Sequence, residues 1–164
     1  MSAQVPLDLV LEPVDSDERT LGEWLTNFHM AAVVLDPYTH ESAWILDTAT
    51  RILRHFREAD CRVVFIVAGT TDEARQFLGP LTEQVLTLCD ADRALVKAAE
   101  LEQLPAFVHL TPAGVLAAKA EGWDPAAWRE VAVALAKRMS WTYPSIPAAG
   151  DPVAYPGSPA VPAA

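Results

Sequence analysis

Continuous apolar runs along this chain alternate with stretches in which apolar residues return every three or four positions, which predicts strands and helices in alternation. Ala31–Leu35 and Arg62–Val67 lack an inside–outside alternation, as expected of strands covered by helices on both faces. Between Glu41 and Glu58, the residues Trp44, Ile45, Ala49, Ile52, Leu53 and Phe56 recur at helical steps and predict one helix with a core-facing side. A lead-in strand is expected at Leu7–Leu11, then a helix capped from Asp15-Ser16-Asp17-Glu18 and running through Leu21, Trp24 and Leu25. Thr70 and Thr71 are candidate caps for a helix through Phe77 and Leu78, which Gly79-Pro80 stops. Val85–Leu88 reads as a third strand, and Asp90 or Asp92 can cap the next helix through Leu95, Val96 and Ala99.

Leu104-Pro105 then opens the apolar strand Ala106–Leu110, which ends in the turn Thr111-Pro112-Ala113-Gly114. So short a connection cannot make a parallel crossover, so Val115–Ala120 is expected to return antiparallel at the edge. Asp124 and Pro125 start a last helix with Trp128, Val131, Leu135 and Met139 on its apolar side. These elements give an α/β domain with a mixed sheet between two helical layers. The proline corner, with the stretch Cys89-Asp90-Ala91-Asp92-Arg93 and the hairpin after it, resembles the thioredoxin-like superfamily. The likeness is to the branch shared by peroxiredoxins and thiol-disulfide reductases, and it spans Ala31 to Met139.

That resemblance implies a three-layer α/β/α fold, a cis Pro105, and a reactive thiol at the start of the helix after the first central strand. The register falls on serine. In the thioredoxin pattern a strand-end aspartate stands six residues before the first cysteine, and Asp36 stands six before Ser42. The slot of the paired cysteines then runs from Ser42 to Ile45, and the peroxiredoxin threonine falls on Thr39. A serine hydroxyl is not ionised near neutral pH and forms no disulfide, so dithiol exchange at this place is excluded. Ser42 is expected to cap its helix rather than to act as a nucleophile with His40 or His109, since no nucleophile-elbow motif surrounds it. Asp36 reads equally as a strand-end cap or a retained buried carboxylate.

Composition narrows the alternatives. A formal charge of −10 disfavours nucleic acid and anionic membranes as partners, and no apolar stretch is long enough to span a bilayer. Without a recognisable export signal the chain is expected to be cytoplasmic. Cys61 and Cys89 form no CxxC or zinc spacing, and His29, His40, His55 and His109 no ligand pattern, so neither metal nor cofactor is expected. His109 is read as a core histidine or a wall of the groove beside Pro105, and the five tryptophans mainly as core, with Trp44 and Trp123 the candidates for a partner-facing surface.

The domain is expected to span residues 1–139, with its core at about 31–139. Residues 140–164 read as a proline-rich tail, either extended or docked through Trp141, Tyr143, Ile146 and Tyr155 on this domain or another subunit. The expected function is a redox-inactive binding, chaperone or assembly factor for a protein or peptide, using a groove of Tyr38, Trp44, Leu104, Pro105 and Ala106. The alternatives are a one-cysteine thiol peroxidase or reductase using Cys61 or Cys89, and a structural subunit or homo-oligomer assembled through the tail.

Overall fold

In β3 (His29–Leu35) the side chains leave the backbone on alternate sides, and both sides find apolar cover. Ala31, Val33 and Leu35 enter a core with α3 (Leu46–His55) and α7 (Pro125–Met139). Met30, Ala32 and Val34 enter a second core with α1 (Leu21–Trp24) and α6 (Ala94–Ala98). All six are fully buried, which is why the run reads as continuously apolar. The molecule is a computed structural model describing residues 3–161.

β4 (Cys61–Val67) pairs with β3 in parallel, from His29↔Cys61 to Leu35↔Val67, and β5 (Leu86–Cys89) pairs with β4 in parallel, ending at Val67↔Cys89. β7 (Ala106–Leu110) runs antiparallel beside β3, and β8 (Leu116–Glu121) antiparallel beside β7. On the other side β1 (Val10–Pro13) lies antiparallel to β5, with β2 (Arg19–Thr20) outside it. Among the described residues, seven strands thus form one mixed sheet in the order β2-β1-β5-β4-β3-β7-β8. The architecture is the expected α/β arrangement.

Several boundaries differ from expectation. The first ladder begins at Val10, not Leu7, because Leu7 and Leu9 give their carbonyls to Gly22 and Leu21 at the start of α1. That helix is capped by Thr20 in a reciprocal capping box with Glu23, and not from Asp15–Glu18. The helix expected over 41–58 is broken into α2 (His40–Ala43) and α3 at Trp44 and Ile45. α4 (Thr71–Leu78) has the Thr70 cap, again boxed with Glu73, and a short α5 (Leu81–Gln84) delays β5 by one residue. Asp90 and Asp92 both cap α6: the buried Asp90 carboxylate accepts from Leu95 and Val96 N–H at 3.1 Å each, and Asp92 accepts from Ala94 N–H. β6 (Gln103–Leu104) stands apart from the main sheet and pairs with β9 (Ser158–Pro159) from the tail.

Candidate functional site

The Leu104-Pro105 peptide is cis and enters β7 beside the carboxyl end of β3, where Val34 pairs with Ala106. Just beyond that end the chain turns at Asp36. Its backbone N–H donates to Ser42 Oγ at 2.9 Å, and its Oδ1 accepts the Tyr38 N–H at 2.9 Å. Asp36 Oδ2 meets Arg93 Nη2 at 3.2 Å, both side chains nearly buried. Asp36 is therefore a buried carboxylate held by a cation and a backbone amide, the second of which also caps the strand-end turn. Ser42 is fully buried and fastens the end of β3 to the first turn of α2, and Ile45 is fully buried in the core below. The expected α2 cap role falls instead to Thr39, whose side chain makes no capping bond, so Ser42 works as a tie between elements.

The groove beside Pro105 is filled by the chain's own tail. Leu104, Pro105 and Ala106 are buried, and Ser158 and Pro159 pair with Leu104 and Gln103. Ser158 Oγ lies 3.3 Å from Thr39 Oγ1, Ala160 N–H donates to Glu102 O at 2.9 Å, and Arg93 Nη1 donates to Ala160 O. Tyr155 O–H donates to Glu41 O at 2.6 Å, and its ring meets Trp44 edge-on at 5.4 Å. Trp44 is consequently a surface side chain, 57% exposed between His40 and Tyr155, and not part of the helical core face. Two glycines at positive φ mark the crossing: a Cβ at Gly157 would lie 2.6 Å from Leu104 O, and one at Gly122 would collide with Pro156 O. Tyr38 is the other expected groove residue left exposed, at 63%.

Sequence reasoning did not find Arg93 or Ser158 as members of this cluster, and it named Tyr155 only as a docking residue of the tail. Arg93 carried one signal, a lone cation between Asp92 and an apolar helix, but nothing in its spacing points to Asp36. Trp123 is buried, with Nε1 donating to Pro152 O at 2.8 Å, so it faces the tail and not a separate partner. His109 lies at the far end of β7 from Pro105, with Nε2 2.8 Å from His29 Nδ1, which removes it from the groove wall.

Burial, the neighbouring His29 and then Arg138 lower the His109 pKa to about 4 from 6.5. The unfolded chain takes up this proton near pH 6.5 and the folded chain only near 4, so stability falls as the pH drops through that window. The loss expected is of order 3 kcal/mol at most. Urea midpoints at pH 7.5 and 4.5 check it, and the difference should shrink in His109→Gln; an equal difference in both proteins would assign the acid sensitivity elsewhere.

The two thiols lie at opposite ends of the neighbouring parallel strands β4 and β5. Cys61 starts β4, donates weakly to Phe56 O at 3.5 Å, and is pushed up to about 11 by burial and then Asp60. Cys89 ends β5 in the row Leu35, Val67, Cys89, at the end from which Asp36 and Ser42 continue. Burial and then Glu12 push its thiol up to about 11 as well, but Arg75 opposes them. Both are free and buried. Among the described residues no cluster of three or more potential ligands could hold a metal.

The chain has the thioredoxin-like fold. It superimposes on peroxiredoxin Q of Xanthomonas campestris with a TM-score of 0.66 at 14% identity, covering 83% of this chain and 96% of that one. A secreted Mycobacterium tuberculosis disulfide oxidoreductase gives 0.58 at 14% identity, covering 82% and 96%. A protein of Aquifex aeolicus described as a putative electron transfer protein gives 0.66 at 13% identity, covering 85% and 94%. No family model and no curated protein matches the sequence. The expectation of a redox-inactive binding, chaperone or assembly factor is corrected on two grounds: the solved structures of this fold that the chain resembles are described as redox proteins, and the groove that reading needs is occupied by the tail.

Proposed function

We propose that the protein is a thiol oxidoreductase working with one cysteine, Cys89, and reducing a peroxide or a disulfide. The observation that carries this reading is the position of Cys89 at the carboxyl-terminal end of the parallel strands, the same end at which β3 runs into the turn at Asp36. Cys61 sits at the other end and has no cation among the groups that shift it. The redox descriptions of the similar solved structures add support.

At rest the Cys89 thiol is protonated, because desolvation disfavours the thiolate. Its cover is the end of β1: Glu12 pairs with Cys89, and Arg75 Nη2 donates to Val14 O. Lifting Glu12–Val14 would hydrate the sulfur and remove a nearby carboxylate, two changes that favour the thiolate, and would free the Arg75 guanidinium from Val14 O. The thiolate then attacks a peroxide oxygen. An S–O bond forms, the O–O bond breaks, and the leaving oxygen takes a proton to depart as water or an alcohol. An external thiol attacks the resulting sulfenic acid, forming a mixed disulfide and releasing water, and a second thiol frees Cys89 and leaves as the disulfide. With a disulfide as oxidant, the thiolate attacks one sulfur and expels the other as a thiolate, and the external thiol again frees Cys89.

The test measures consumption of hydrogen peroxide and of a small disulfide with a dithiol as reductant. Wild-type protein and Cys61→Ser are expected to turn over at least one of them, and Cys89→Ser neither. Undiminished turnover by Cys89→Ser, or none by the wild type, removes the proposal.

A further inference from the structure

The end of the tail is held differently from the core. Upstream, Asp151 takes hydrogen bonds from Thr48 at 2.7 Å, Arg51 at 2.9 Å and Ala148 N–H at 2.7 Å, and Pro152 O takes one from Trp123. That stretch is anchored. Beyond it Val153 is 89% exposed, and Pro156, Pro159 and Val161 are exposed too. The buried positions of this end are Ser158 and Ala160, small side chains that bring little apolar area out of water, and Tyr155 adds one partly buried ring. What fixes the segment is hydrogen bonding: the two-residue β6–β9 pair, the Trp123–Tyr155 bridge, and bonds to Glu102, Thr39, Glu41 and Arg93. Each of these exchanges readily for water at a modest net cost. Segments with few buried apolar contacts open locally, without global unfolding.

We propose that Val153–Val161 is a self-blocking strap, hinged after the Pro152 anchor, which closes the corner at Pro105 and opens to admit substrate. Its occupant is the chain's own tail. Closed, it covers Leu104–Ala106, and through Ala160 it clamps Arg93 in the loop that follows Cys89. Open, it uncovers Thr39 and the edge of β6 and loosens the Asp90–Arg93 loop beside the thiol. The opening itself is independent of any chemistry, whereas its role in admitting substrate rests on the function proposed above.

Gly157→Ala tests it, since the new methyl must enter the 2.6 Å space against Leu104 O from a backbone at φ +85°. Tyr155→Phe, which removes only the bond to Glu41 O, is a milder second variant. Amide exchange at Tyr155 and Ala160 is expected to quicken about tenfold or more in Gly157→Ala, matching a loss of one or two hydrogen bonds, and less in Tyr155→Phe. Amides of β3 and β4 should be unchanged. The rate at which a small aromatic disulfide reagent modifies Cys89 should rise in parallel. Unchanged exchange at both tail amides in Gly157→Ala overturns the strap, and faster exchange with an unaltered thiol rate overturns its gating role. A failure of the redox function itself shows instead in the turnover of Cys89→Ser, which the exchange measurement does not involve.

Discussion

Arg93→Leu is expected to lower stability by about 3–5 kcal/mol, the cost of leaving one member of a buried ion pair without its partner. Arg93 is the only cation bonded to the Asp36 carboxylate among the described residues, and both side chains are more than nine-tenths buried. Deleting the guanidinium leaves Asp36 with the Tyr38 amide alone, and it also frees Ala160 O. Urea denaturation measures the loss. The companion double variant, Arg93→Leu with Asp36→Leu, should recover much of it, because what destabilises the single variant is the orphaned charge and not the missing attraction. A single variant losing less than about 1 kcal/mol would mean that water already reaches Asp36, as it does for exposed pairs.

This pair also shows where sequence reading stops. The strands and their order were legible because burial on both faces leaves an unbroken apolar signature, visible at Ala31–Leu35, and because Leu104-Pro105 marks a corner. Asp36, Thr39 and Ser42 could be placed in register by counting along one segment. The contacts between Asp36 and Arg93, or Ser158 and Thr39, join residues far apart in the chain, and no periodicity carries such information. Trp44 illustrates the same limit: its spacing fits a core face, but the tail supplies Tyr155 as a surface partner, and a tail rich in proline has no pattern from which its path could be inferred. The groove beside Pro105 was expected to be open, and the tail that fills it is the part of the chain with no periodicity to read.

Trp128→Ala should be as damaging as the loss of Arg93, at about 3–5 kcal/mol, for removing a large, fully buried ring from a packed site. The ring lies 5.3 Å from Phe107 and 5.1 Å, edge-on, from Trp123, so it joins α7 to the sheet and to the support of the tail. Its Nε1 donates to Gly122 O at 2.7 Å, which fixes the residue that the tail crosses. Trp128→Phe separates the two contributions: it retains most of the apolar contact but leaves Gly122 O without its donor, at a cost nearer 1–3 kcal/mol. Packing therefore predicts that alanine loses clearly more than phenylalanine in urea, whereas a ring serving only to hold Gly122 would give equal losses. Amide exchange at Tyr155 adds the independent reading, because Tyr155 N–H donates to Trp123 O at 3.0 Å. If Gly122 and Trp123 are the seat of the tail, that amide should quicken even in Trp128→Phe, whose core remains packed.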